Sequence, residues 1–245
     1  MSQAVNPTSP ALTAEELVYP DSDGQPMADN TKQYQYMITI QVGLDSLFAA
    51  HPDVFVAVNL FWYPVEGHPG ICTAPDVLVA FGRPKGHRGS YRQWEEGGIA
   101  PQVVFEILSP GNTWREMYDK RKFYERYGVQ EYYEYDPDGG SLEIWQREGN
   151  TLRPVAHQGQ WHSPLLGVTL QLETDGELSV LRPDGRKILR PVEMEMLVEQ
   201  ERARAEQEHA RAEQEHARAE QAEQQAQRLA AKLRELGVDP TTLTE

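Results

Sequence analysis

Two carboxylates stand where the chain otherwise reads as buried strand. Asp76 opens the run Pro75-Asp76-Val77-Leu78-Val79-Ala80-Phe81, and Glu106 lies inside Val103-Val104-Phe105-Glu106-Ile107-Leu108. Desolvating a lone carboxylate costs several kcal/mol, so it is seldom buried without a cation, a donor or a metal. Two such positions suggest one shared cation. The plainer alternative is that each accepts hydrogen bonds from a nearby Arg, Lys or backbone amide. In the second run Val104, Glu106 and Leu108 point to one face of the strand, with Val103, Phe105 and Ile107 on the other. Metal-assisted phosphodiester hydrolysis often uses an Asp at the start of one strand and a Glu and a Lys two apart on the next, carboxylates for Mg²⁺ and an ammonium for the attacking water or the phosphorane charge. Leu108 occupies the place of that Lys, so the strict spacing is broken.

The elements that must position these acids form an α/β or α+β domain with a mixed sheet. Asn30 to Ala50 carries Tyr36, Ile40, Gly43, Leu44 and Leu47 at spacings of three and four, which predicts an amphipathic helix. Residues 53 to 61 read as a strand, followed by a Pro- and Gly-bearing loop and the Asp76 strand. Gly82 to Gly98 has too many glycines and charges to continue a sheet and is expected as a long exposed loop. After the Glu106 strand, Ser109-Pro110-Gly111-Asn112-Thr113 predicts a turn, with Asn112 or Thr113 capping the helix WREMYDKRKFYERY that stops at Gly128. Further strands are expected at Val129 to Tyr135, Ser141 to Gln146, Arg153 to Ala156, Val168 to Leu172 and Leu178 to Leu181. The aromatic group Phe123, Tyr124, Tyr127, Tyr132, Tyr133 and Tyr135 falls on faces that helix and strand would bury, so it is assigned to packing ahead of base stacking.

Composition bounds the rest. At 245 residues and 39% hydrophobic content the chain suits one sizeable domain with an appendage. Residues 1–29 are expected as an arm with a short capped helix near Thr13 to Leu17, residues 30–190 as the domain, 191–238 as a long charged helix and 239–245 as a tail. One cysteine, Cys72, excludes an intramolecular disulfide framework and suits a reducing, cytoplasmic setting. Neither a signal peptide nor a membrane span is expected. The net charge of −15 opposes general nucleic-acid affinity. Two basic groups run against it: Arg83, Lys85, His87, Arg88 and Arg92, then Arg115, Lys120, Arg121, Lys122 and Arg126.

The C-terminal segment repeats ARAEQEH at Ala203 to His209 and again at Ala210 to His216, with a degraded third copy at Ala217 to Glu223. Ala, Glu, Gln and Arg are strong helix formers, and about 45 residues of helix would span roughly 70 Å. As a coiled coil its seam is poor: Val198, Ala205, Ala212, Ala219 and Ala226 alternate with Glu201, Glu208 and Glu215.

Pro75-Asp76-Val77-Leu78-Val79, Val104 to Pro110, Lys120-x-x-x-Tyr124 and Gly128-Val129-x-Glu131-Tyr132-Tyr133-x-x-Asp136-Pro137 together resemble the Uma2 family of restriction-endonuclease-like domains, over about residues 20 to 180. The resemblance implies a PD-(D/E)xK fold: a central mixed sheet flanked by helices, with acids at one edge. It implies a nuclease acting on DNA, with Mg²⁺ or Mn²⁺ held by Asp76, Glu106 and the Ile107 carbonyl. The missing strand Lys is then supplied by the following helix, at Lys120, with Lys122 as the fallback. Asp23 is the nearest candidate for a third acidic ligand. Against this stands a silent nuclease fold serving as an interaction module, tethered by its helical tail to a partner or a second copy as a homodimer.

Overall fold

The computed structural model describes residues 18–22, 24, 28 and 30–235. The expected short helix at Thr13 to Leu17 and the candidate Asp23 lie outside the described residues. By its internal contacts the chain divides into two compact units, Met1–Arg190 and Pro191–Glu245.

The first unit begins with α1 (Thr31–Leu47), whose N-terminus is capped by Asn30 accepting from the Gln33 amide. Its buried stripe is Gln33, Met37, Ile40, Gly43 and Leu44. The expected Tyr36 and Leu47 are only half-buried. Tyr36 sits at the margin because its hydroxyl donates to Glu177 while its ring packs edge-on against Tyr135.

A six-stranded sheet follows in the order β1 (Val54–Val58), β3 (Val77–Phe81), β5 (Val103–Ile107), β6 (Glu131–Asp136), β7 (Ser141–Glu148) and β8 (Thr151–Pro154). Within this sheet only β5 and β6 run parallel. A parallel pair needs a crossover, and α2 (Trp114–Tyr127) supplies it. Thr113 caps α2 by accepting from the Glu116 amide, and Gly128, at φ 103°, ends it in the left-handed conformation that glycine adopts without strain.

Val77 to Ala80 are all fully buried, because both faces of the sheet are covered. Val77, Val79, Val103, Phe105 and Ile107 pack with Met37, Ile40 and Leu44 of α1. Leu78, Ala80 and Val104 pack with Trp62 and with Tyr124 of α2. A second sheet of β9 (Gln160–His162), β10 (Thr169–Leu172) and β11 (Leu178–Leu181) adds Leu170, Leu178 and Val180 to the α1-side core.

The segment expected as an exposed loop, Gly82 to Gly98, is a loop, but one anchored by two buried residues, Tyr91 and Glu96. Its β4 (Tyr91–Arg92) pairs in parallel with β2 (Trp62–Tyr63), and Tyr91 is fully buried. Glu96, also buried, binds Arg83 at 2.8 Å and is held by Arg88 on both oxygens. Arg88 in turn covers the Phe55 ring. Glycine content hid this because one anchor, the pairing of Tyr91 with β2, is long-range, and the other gathers charges that read as solvated. β9 was also not expected.

In the second unit α3 (Pro191–Glu235) is a continuous helix with no buried residue. Its ion pairs include Arg202–Glu206 and Arg204–Glu208, spaced i,i+4. No helix of the described residues is long and apolar enough to cross a membrane.

Candidate functional site

The register of β3 against β5 brings the two acids together. Val77 faces Phe105 and Leu78 faces Val104 in an antiparallel pair. One step further along that register sets Asp76 opposite Glu106, and directly opposed residues have Cβ atoms about 4.5–5.5 Å apart. Parity puts both on the α2 side: Asp76 alternates with Leu78 and Ala80, Glu106 with Val104, all facing that layer. At Asp76 the main-chain ladder stops, and the side chain takes its place, Oδ2 accepting from the Ile107 amide at 2.7 Å.

Both carboxylates are buried, Glu106 at 2% exposure and Asp76 at 7%. Glu106 Oε2 accepts from Lys120 Nζ at 2.9 Å, and Oε1 accepts from the Tyr124 hydroxyl. The phase of α2 explains the choice of lysine. Met117, Lys120 and Tyr124 follow one another at three and four residues on the inward stripe, whereas Lys122 points away and pairs with Glu125 at 2.8 Å. Leu108, in the place of the strand Lys, is half-buried and continues the main-chain pairing to Tyr135. Ser109 is a turn residue, its amide and hydroxyl both donating to Asn112.

Two participants escaped the sequence reading. Gln33 of α1 donates from Nε2 to the Ile107 carbonyl at 3.0 Å and lies 3.5 Å from Asp76 Oδ2. Its signal was present, since Gln33 is the polar member of an otherwise apolar i, i+4, i+7, i+11 stripe. Tyr124 was assigned to packing and does pack, flat against Trp62, but its hydroxyl also holds Glu106. The other aromatic residues of that group are buried or half-buried, as packing requires.

The electrostatics follow from two buried acids sharing one ammonium. Burial, then the Glu106 charge, pushes the Asp76 carboxyl up to about 7, against the opposing pull of Lys120 and the hydrogen bonds from Ile107 and Gln33. Burial acts to lower the Lys120 pKa, but Glu106 and Asp76 outweigh it and hold the amine above its ordinary value. The hydroxyl of Tyr124 is raised well above its usual range by burial and by Glu106, so it stays a donor.

Among the described residues no group of three His, Cys, Asp or Glu side chains converges as a metal site. Two carboxylates and a carbonyl nonetheless suit Mg²⁺, which binds through one or two carboxylates and keeps several waters. Asp76 Oδ1 has no donor among the described residues, and two acids against one ammonium leave the site short of positive charge. An open groove of about 490 Å³ runs past Lys120, lined also by Thr73, Thr113, Arg115, Asp119 and Phe123. Cys72 is half-buried on its wall.

A mixed sheet with acids at the end of its β3–β5 ladder, flanked by helices and answered by an amine from the crossover helix, defines a restriction-endonuclease-like α+β domain. The chain belongs to the Uma2 family, whose model, described as "Putative restriction endonuclease", matches residues 25–180. No curated protein matches the chain. Among solved structures it is similar to a crystal structure at 1.96 Å from Anabaena variabilis ATCC 29413, described as a putative nuclease belonging to DUF820. That pair shares 16% identity with a TM-score of 0.44, over 60% of this chain and 81% of the other.

Proposed function

We propose that the protein is a metal-dependent endonuclease that hydrolyses phosphodiester bonds in DNA, with its active site at Asp76, Glu106 and Lys120 in a domain spanning residues 30–190. The observation that carries this reading is the buried pair of opposed acids, one of them bound by an inward-facing amine that lines an open groove. Structural ion pairs are ordinarily balanced, whereas this one has a surplus carboxylate whose pKa is raised.

In this reading Asp76, Glu106 and the Ile107 carbonyl would hold Mg²⁺ or Mn²⁺. When bound, the cation supplies Lewis-acid polarisation of the phosphoryl group and a more acidic water. Lys120, held in its charged form, orients the attacking water or steadies the charge growing on the phosphoryl oxygens. Gln33 positions the Ile107 carbonyl, and Tyr124 fixes the Glu106 carboxylate by donating to it.

The test joins binding to chemistry. Titration calorimetry of Mg²⁺ and Mn²⁺ into wild type should show uptake that Asp76→Ala loses, and plasmid nicking should fall at least ~10²-fold in Asp76→Ala, Glu106→Ala and Lys120→Ala. A second reading, a silent nuclease fold tethered by α3 to a partner or a second copy, draws on both Glu106 oxygens being satisfied within the protein. Wild type and variants behaving alike in both assays would select it.

A further inference from the structure

Trp114, the first residue of α2, is 79% exposed, while the other four tryptophans of the chain are buried or half-buried. Its ring stacks on that of Tyr118 one turn later, with centroids 5.3 Å apart and planes at 22°. Tyr118 is itself 37% exposed. Cations bracket the pair: the Arg121 guanidinium lies 5.5 Å from the Tyr118 ring and 4.6 Å from that of Trp145, and Lys122 Nζ lies 5.9 Å from Tyr118. Arg115 beside them is 90% exposed in its side chain and lines the groove at Lys120. Leaving an indole in water forgoes more free energy than an i,i+4 ring pair returns to a helix, so helix support does not account for Trp at this position. The helix also opposes the charge of the whole, carrying five bases and three acids in a chain of net −15.

We propose that Trp114 and Tyr118 form a base-stacking platform, and that the site takes an unpaired nucleic-acid strand. This rests on the nuclease reading of Asp76, Glu106 and Lys120. The free face of an exposed indole is matched by the face of a nucleobase, and that face is open only when the base is not stacked in a duplex. Arg115 supplies a phosphate contact on the same turn. Trp114 precedes Lys120 by six residues, about 9 Å along the axis, within reach of a nucleotide neighbouring the scissile one on an unstacked strand. The platform therefore holds a neighbour of the scissile phosphate and does not touch the reacting atoms.

The experiment measures fluorescence anisotropy of labelled oligothymidylate, oligouridylate and a DNA duplex of equal length with the full chain in chelator, where nothing is cut. Wild type should bind a single strand more tightly than the duplex. Trp114→Ala should weaken single-strand binding roughly 5- to 150-fold, equivalent to about 1–3 kcal/mol for one stacked base, with Trp114→Phe retaining most of it and duplex binding unchanged. The exposed position leaves folding intact, checked by circular dichroism. Tighter binding of oligouridylate with the same loss in Trp114→Ala keeps the platform and assigns the strand as RNA. Unchanged single-strand affinity in Trp114→Ala, with Mg²⁺-dependent nicking still abolished by Asp76→Ala, overturns the platform alone. Wild type that neither binds nor cuts any of these substrates overturns the platform and the nuclease reading together.

Discussion

Burial and the Glu106 charge push the Asp76 carboxyl from the ordinary aspartate range up to about 7, and this couples its charge to folding. Between the unfolded and folded pKa values the native state binds more protons than the unfolded chain, so the contribution to stability is complete below pH ~4 and is lost as pH rises through about 7. Asp76→Asn stays neutral and escapes that loss. In chelator its thermal midpoint should gain on wild type between pH 5 and pH 8, by the equivalent of about 2–4 kcal/mol, while nicking disappears; parallel pH curves would contradict the coupling. Tyr124 offers a second measurement. Tyr124→Phe removes a donor to the buried Glu106 carboxylate and should cost about 1.5–3 kcal/mol in urea unfolding, whereas Lys122→Ala, which breaks an exposed pair, should stay within ~0.5 kcal/mol. Asp76 and Glu106 were legible as charges in apolar runs. Gln33 was not read, because a polar residue on a helix stripe acquires its meaning from the strand end it faces.

At the scale of elements α2 was the most legible, since its cap, its glycine stop and its periodicity are all local signals. The inward face of α1 was harder: Tyr36 and Leu47 were expected inside where Gln33 and Met37 are found. Gly43 is the residue that seats this helix. A Cβ there would overlap the side chain of Ile188, which is 95% buried by its 5% exposure and branched at the point of contact. Helix propensity alone favours Gly43→Ala by about 1 kcal/mol. The overlap should reverse that sign, giving a loss of about 1–3 kcal/mol in chemical denaturation; a stabilised variant would show that Ile188 yields. The packing of Gly82 to Gly98 failed to show in the sequence for a related reason. Tyr91 pairs with Phe61 thirty residues away, and Glu96 gathers two arginines, neither of which follows from local propensity.

For the whole molecule, α3 buries none of its residues, so a chain ending at Arg190 should unfold within ~2 °C of the full chain, a shift of about 0.5 kcal/mol or less, as differential scanning calorimetry would show. Light scattering on the same two proteins tests self-association through the tail. The residue order by itself determined where the two long helices and most strands of the main sheet fall, where α2 is capped and stopped, which carboxylates interrupt apolar runs and that the tail is one charged helix. Those properties come from interactions within a few residues, and their periods are written along the chain. Only the tertiary structure decided that Asp76 stands opposite Glu106, that Lys120 and not Lys122 binds Glu106, and that Gln33 and Tyr124 join the same cluster. Each of these depends on a strand register or a helix phase, set by packing between segments tens of residues apart, where a shift of one residue would turn every side chain to the other face.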